Sequence, residues 1–143
     1  MNILVSSCLV GENCKYNGGN NKSEKIITYL EERKEKGDII YDVCPEILND
    51  IPCPREPVEI SCGKVIRKDG KDVDTQYKKA VQIAIDLIKS KNINVAILKS
   101  KSPTCGVNEI YDGSFSRTLI SGKGIFADEL LKLGITLIDS DDI

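Results

Sequence analysis

The sequence predicts a three-layer α/β domain with a mostly parallel β-sheet. Short apolar segments alternate with amphipathic helices along the 143 residues. Parallel neighbouring strands need crossover connections, and the helices in those connections cover both faces of the sheet. A chain of this length is about one domain long and can bury a core without disulfides. We therefore expect a single domain over residues 1–143.

The first part of the chain carries two strands and a helix. Residues 2–6 (NILVS) and 38–43 (DIIYDV) are continuous apolar runs, which are typical of buried strands. Between them, residues 22–37 show helical spacing of apolar positions, and Gly37 is a stop signal. A strand–helix–strand unit is expected.

The middle of the chain contains a proline-rich segment and a hairpin signal. Residues 49–60 (NDIPCPREPVEI) hold prolines that disfavour helix interiors and central strands, so we expect an ordered loop past the strand ends. Residues 59–74 alternate weakly, and Asp69-Gly70 is a typical hairpin turn pair. The sequence therefore predicts a small β-hairpin insertion in the domain.

The second half begins with the most strongly amphipathic helix, over residues 75–92, with Asp74 or Thr75 as its cap. A strand over 94–99, a helix over 124–134 and a strand over 135–139 complete the alternation. The apolar stripe of the helix over residues 75–92 consists of Tyr77, Val81, Ala84, Ile85 and Ile88.

Composition excludes several classes of protein. The net charge of -2 gives no global electrostatic footprint for nucleic acid, so no nucleic-acid partner is expected. No apolar run approaches the roughly 20 residues that span a bilayer, and the opening MNILVSSCLVG lacks the basic region of a signal peptide. We expect a cytoplasmic protein without a membrane partner, whose six cysteines stay reduced.

Three cysteines follow predicted strands. Cys8, Cys44 and Cys105 each lie a few residues past the end of a different strand. Loops that leave the carboxyl ends of parallel strands emerge at one edge of the sheet, where ligands bind in α/β proteins. The three thiols are therefore predicted to converge.

Converging thiols in a chain without histidine indicate soft-metal chemistry. Such a set suits zinc or an iron-sulfur cluster. A four-iron cluster normally takes four cysteines, so three would leave one iron open, as catalytic zinc keeps an open position. Two alternatives are a zinc-binding or redox-sensing module without turnover, and a scaffold that binds a nucleotide at the strand ends.

Four sequence blocks resemble the signatures of the bacterial thiouracil desulfidase family, long catalogued as a domain of unknown function. The blocks occur in the family's order over nearly the whole chain. The resemblance implies a Rossmann-like fold and a 4Fe-4S cluster held by three cysteines. It also implies that the fourth iron takes sulfur from a thiolated pyrimidine and leaves the oxo base. The blocks are SSCLVGENCKYNGGNN, CPEILNDIPCPREPVEI, KSKSPTCG and YDGSFSRTLISGKGIFADELLKLGI.

Carried over to this chain, the resemblance implies that Cys8, Cys44 and Cys105 hold the cluster and that Glu46 and Ser102 are catalytic. A carboxylate beside the open iron could take a proton from the attacking water and later return one to the ring nitrogen. The serine hydroxyl could hydrogen-bond the substrate or the tetrahedral intermediate. The expected products are uracil and hydrogen sulfide.

Both proposed catalytic residues also have structural interpretations. Glu46 suits the first turn of a helix that begins after Pro45. Ser102 before Pro103 is common turn chemistry. A buried free cysteine is usually a small hydrophobic residue, so each thiol also has such an interpretation.

The remaining cysteines have separate interpretations. Cys14 lies in the first block, and we expect a fourth thiol near the cluster or a sulfur relay. Cys53 departs from the family pattern, and Cys62 in the expected hairpin is assigned to packing. If Cys14 or Cys53 reached the fourth iron, the open position would close.

Two charged residues of PREPVEI could line the pocket. Arg55 could bind a ring carbonyl or an acidic neighbour, or form a salt bridge at the rim. Glu59 is expected to have a structural role.

Overall fold

A computed structural model describes residues 1–143, and its helices and strands alternate as the sequence predicts. The chain also contains three short 3-10 helices, at Ser7–Val10, Lys89–Lys91 and Ser140–Asp142. The main elements are β1 (Asn2–Ser6), α1 (Glu24–Glu35), β2 (Ile39–Val43), α2 (Pro45–Leu48), β3 (Val58–Ser61), β4 (Lys64–Arg67), α3 (Asp74–Ile88), β5 (Val95–Leu98), β6 (Glu109–Tyr111), β7 (Leu119–Ser121), α4 (Ile125–Lys132) and β8 (Thr136–Asp139).

The central sheet has four strands in the order β2-β1-β5-β8, and all its pairs are parallel. β1 pairs with β2 from Asn2 opposite Ile39 to Ser6 opposite Val43. All four carboxyl ends therefore lie at one edge of the sheet. The predicted mostly parallel sheet is confirmed.

Helices cover both faces of this sheet. On one face, Leu4 and Leu98 pack in a core with residues of α3 and α4, such as Phe126. On the other face, Ile3 and Ile97 pack against α1. Neighbouring residues of one strand point to opposite faces, which explains why each strand is a continuous apolar run. The three-layer α/β architecture is confirmed.

β3 and β4 form the predicted hairpin insertion, but its turn lies elsewhere. The strands are joined by Cys62 and Gly63, whose φ values of 51° and 76° are both positive, as a tight hairpin turn requires. The prediction that Asp69-Gly70 forms this turn is wrong. That pair makes the next reversal, where the Gly70 N–H donates to Arg67 O at 2.8 Å. Cys62 is exposed at the turn tip, so its assignment to packing is also wrong.

A second hairpin, β6 and β7, was not expected. Its strands are three residues long each and pair antiparallel, with Ile110 opposite Ile120. Three residues are too few to show an alternating pattern in the sequence. The loop over 112–118 joins the two strands.

The start of α3 differs from the prediction, while its buried face does not. The helix begins at Asp74, with Val73 at the N-cap position, so neither Asp74 nor Thr75 is the cap. The Asp74 carboxylate instead accepts the Val65 N–H at 3.0 Å and ties the helix to β4. The stripe residues of α3 are all buried, and they are Tyr77, Val81, Ala84, Ile85 and Ile88.

No helix of the protein is long and apolar enough to cross a membrane.

Candidate active site

The three cysteines that follow strands line one cavity at the carboxyl edge of the sheet. Cys8 lies in the 3-10 helix after β1, and Cys44 is the N-cap residue of α2 directly after β2. Cys105 lies in the turn that follows β5. The cavity has a volume of about 490 Å³. The structure thus brings the three thiols together, while their role as ligands stays a prediction.

Cys14 is a fourth thiol at the same cavity. Its side chain is only 3% exposed, and it hydrogen-bonds the thiols of Cys44 and Cys8. The expectation of a fourth thiol near the other cysteines therefore agrees with the structure. Cys53 does not line the cavity. Its thiol instead donates to the carbonyl oxygens of Asn13 at 3.1 Å and Lys15 at 3.0 Å.

Arg55 lines the cavity and holds the loop that carries Cys14. Its guanidinium donates to Cys14 O at 3.1 Å and to Pro52 O at 3.4 Å. Arg55 forms no ion pair with any carboxylate, so the interpretation as a rim salt bridge is wrong. A contact with a ring carbonyl stays a prediction.

Cys8, Cys14 and Cys105 differ in how readily their thiols ionise. The hydrogen bond from Cys14 lowers the pKa of Cys8 to about 7, although burial opposes this shift. The hydrogen bonds to Cys44 and Cys8 raise the pKa of Cys14. Burial raises the pKa of Cys105, and the nearby charge of Glu46 adds to that effect. Cys105 therefore needs a nearby positive charge, such as that of a bound metal, to become a thiolate.

Removing Cys14 should raise the pKa of Cys8 in the metal-free protein. Above its pKa of about 7, Cys8 is a reactive thiolate, and below it the thiol is protonated. In Cys14→Ala the hydrogen bond is lost, so alkylation of Cys8 by iodoacetamide should slow at pH 7 and its midpoint should move to higher pH. Mass spectrometry of the Cys8 peptide across a pH series measures this midpoint. Cys53→Ala is the control, and a midpoint unchanged by Cys14→Ala would contradict the assignment.

Glu46 is placed among the thiols by the short helix α2. Glu46 is 8% exposed, and the Thr104 hydroxyl donates to its Oε1 at 2.6 Å. The Cys44 Sγ donates to Oε2 at 3.3 Å. Glu46 lies in the first turn of α2, as its structural interpretation predicts, and its side chain hydrogen-bonds Thr104 and Cys44 rather than the backbone of that helix. A buried carboxylate at a cavity wall is a candidate for proton transfer.

Ser102 is a turn residue that also lines the cavity. Its Oγ accepts the N–H groups of Thr104 at 3.1 Å and of Cys105 at 3.0 Å. The structural interpretation of Ser102 is therefore correct. Two accepted hydrogen bonds occupy both lone pairs of the hydroxyl, so only its O–H is left to donate. The same geometry fixes the backbone that carries Cys105.

Basic side chains outnumber acidic ones around the cavity, in contrast to the chain as a whole. Lys99 lies close enough to Cys8 to lower the pKa of that thiol. Such an excess of positive charge stabilises several thiolates in one place. Sequence analysis missed most of these residues because they come from separate loops. The basic residues are Lys15, Arg55, Lys68, Lys99, Lys101 and Arg117, and the acidic ones are Glu46, Glu56 and Glu59.

Sequence analysis also missed the contribution of the second hairpin. Tyr111, at the end of β6, lines the cavity together with Phe115 and Arg117 of the 112–118 loop. These residues lie in the block YDGSFSRTLISGKG, whose resemblance to the family was the one available signal.

The thiols at the cavity are the kind of donor that an iron-sulfur cluster takes. No group of three or more Cys, Asp or Glu side chains is close enough to hold one metal ion. A four-iron cluster is wider than one ion, so its ligands stand further apart. Thiolates are the usual ligands of such clusters.

Comparison with known proteins identifies the family. The model of the 2-thiouracil desulfurase family matches residues 3–142. The chain belongs to this family. The resemblance predicted from the sequence blocks is thereby confirmed, and membership of the 2-thiouracil desulfurase family places the chain among enzymes.

Two individual proteins are similar to this member of the 2-thiouracil desulfurase family over nearly its whole length. The uncharacterized protein YbbK of Bacillus subtilis strain 168 is 36% identical in an alignment 151 positions long, which covers 99% of this chain and 97% of YbbK. The solved structure of the [4Fe-4S]-dependent thiouracil desulfidase TudS is similar with a TM-score of 0.88. It is 30% identical in sequence, and the match covers 99% of this chain and 92% of that chain. The fold predicted from the sequence therefore agrees with that of a solved desulfidase.

Proposed function

We propose that this protein removes sulfur from thiouracil or a related thiolated nucleobase and releases uracil and hydrogen sulfide. The observation that carries the proposal is the convergence of Cys8, Cys44 and Cys105 on one cavity that also contains Glu46 and Ser102. Membership of the 2-thiouracil desulfurase family and the similarity to TudS support it. The overall reaction replaces C=S by C=O with one water and needs no oxidant or reductant.

Cys8, Cys44 and Cys105 would hold a 4Fe-4S cluster as thiolates. When bound, the cluster supplies one iron without a protein ligand, to which the substrate sulfur can attach. Cys14 would keep its proton, because the pKa of its thiol is raised. Its S–H would then donate to a neighbouring thiolate. This assignment leaves the open position free.

Glu46 is the proposed proton carrier. The Thr104 hydroxyl fixes Oε1, while Oε2 is the oxygen that faces the Cys44 sulfur. Once Cys44 is a thiolate, its proton is gone and Oε2 is free to accept one from the attacking water. The protonated carboxyl then returns a proton to the ring nitrogen. Each turnover therefore leaves Glu46 ionised again.

Ser102 is the proposed hydrogen-bond donor to the substrate. Its two accepted N–H bonds leave the O–H as its one remaining polar group. An O–H held in a fixed direction stabilises the oxygen of the tetrahedral intermediate without reorganisation. The turn geometry and the catalytic role are thus compatible.

Anaerobic turnover tests the proposal. Protein reconstituted with iron and sulfide is incubated with 2-thiouracil, and uracil and sulfide are quantified together. We expect equal amounts of the two products, with none from the metal-free protein. A fully loaded cluster that yields neither uracil nor sulfide from 2-thiouracil or 4-thiouracil would overturn the proposed function. That result would favour the alternative of a redox-sensing or metal-binding module.

A further inference from the structure

The 112–118 loop supplies Phe115 and Arg117 to the cavity wall. Both have positive φ, 56° and 61°, which is an uncommon backbone conformation for residues other than glycine. Such conformations persist only where surrounding contacts determine them.

Bonds within the loop hold only part of it. The Asp112 carboxylate accepts the Ser114 N–H at 2.9 Å, and the Asp112 N–H donates to Thr118 O at 2.9 Å. The loop hydroxyls of Ser114 and Ser116 hydrogen-bond each other. None of these bonds involves the backbone N–H of Phe115.

The carboxylate of Glu59, on the other hairpin, supplies the missing contact. Its Oε1 accepts the N–H of Gly113 at 3.0 Å and that of Phe115 at 3.1 Å. Glu59 is 9% exposed, lines the cavity and makes no ion pair with any basic side chain. This carboxylate therefore binds the loop backbone at two points, one of them Phe115, which has a positive φ.

Gly113 shows that the loop is packed directly on β3. A Cβ at this position would lie 2.7 Å from Ile60 O and 2.9 Å from the Ser61 Cβ. Its φ of +94° also excludes most other residues. The close approach and the two hydrogen bonds are independent observations that fix the same segment.

We infer that Glu59 is a positioning residue, which holds the 112–118 loop so that Phe115 and Arg117 form a substrate-binding wall. The inference rests on the proposed function for the identity of the substrate. The Phe115 ring offers an apolar face on which a pyrimidine can stack. The Arg117 guanidinium offers N–H donors for a carbonyl oxygen attached to the pyrimidine ring. In this role Glu59 acts through the backbone of Gly113 and Phe115.

The variants Glu59→Ala and Glu59→Gln separate this role from a general effect on folding. Both N–H groups bind one oxygen, and the glutamine amide retains such an acceptor. Glu59→Ala should raise the KM for 2-thiouracil at least about tenfold while kcat changes by less than about threefold. Glu59→Gln should stay within about threefold of the wild type in both constants. Glu109→Ala, an exposed carboxylate on β6, is the matched control and should change neither.

Two further measurements do not depend on turnover. Uracil binding to the cluster-loaded protein, measured by calorimetry, should weaken at least about tenfold in Glu59→Ala and not in Glu59→Gln. Limited trypsin digestion of the metal-free protein should cut after Arg117 faster in Glu59→Ala than in the other variants. The cut is followed as the fragment 1–117 by mass spectrometry.

The outcomes separate this inference from the proposed function. If the wild type releases sulfide but Glu59→Ala has an unchanged KM and an unchanged cut after Arg117, Glu59 has no positioning role. If the wild type does not turn over, the proposed function fails and the trypsin result alone decides the role of Glu59. Should Glu59→Ala not fold, Phe115→Ala decides, because an unchanged KM in that variant would overturn the substrate-binding wall.

Discussion

Cys105→Ser is expected to abolish cluster retention, with iron falling from about four per chain to background after anaerobic reconstitution. Cys105 is buried in the core that joins α3 and α4 to the sheet, so no other thiol can move into its place without repacking that core. A serine hydroxyl is a hard donor that remains protonated near neutral pH and binds iron poorly. Sulfide release from 2-thiouracil should be lost with the iron.

The control for this variant is Cys62→Ser, at the exposed turn of the first hairpin. It should keep the full iron content, because Cys62 lies away from the cavity. Circular dichroism of both metal-free variants should match the wild type, since serine is close to cysteine in volume. Unchanged iron content in Cys105→Ser would remove Cys105 from the ligand set and, with it, the proposed arrangement of three thiolates.

Glu46→Gln is expected to lower turnover by roughly 100- to 10,000-fold, the range for loss of a general acid–base group. Glutamine fills the same space and can still accept the Thr104 hydroxyl, but it cannot carry a proton at neutral pH. The iron content should stay at the wild-type value, because Glu46 is not a proposed ligand. The measurement pairs single-turnover rates with iron analysis on the same sample.

Glu109→Gln is the matched control for this variant, since it makes the same chemical change at an exposed site. Its turnover should equal that of the wild type. Near-normal turnover in Glu46→Gln would reduce Glu46 to a residue that positions Cys44 and Thr104. Loss of iron in that variant would instead indicate that the carboxylate helps to hold the cluster.

Much of the fold could be predicted because its strands are buried on both faces. Runs such as Ile3 to Val5 and Ala96 to Leu98 are apolar throughout, and the helices between them have clear stripes. The errors lie in the hairpins. Cys62 adopts a positive φ in the turn that joins β3 and β4, which its side chain does not favour, so Asp69-Gly70 was the stronger signal.

The cavity was predictable only where topology determines it. Cys8 and Cys44 follow parallel strands directly, so their meeting at one edge follows from strand order. The place of Cys14 could be expected only from the resemblance to the family and not from topology, because Arg55, distant in sequence, holds the loop around it. The place of Phe115 depends in the same way on Glu59, and no local pattern shows such a contact.

The metal content and visible spectrum of the wild-type protein after anaerobic reconstitution test the central claim most directly. The arrangement of three thiols around one cavity predicts about four irons and about four sulfides per chain, with the broad brown absorption of an iron-sulfur cluster. A colourless protein that binds one zinc per chain in competition with iron would contradict it.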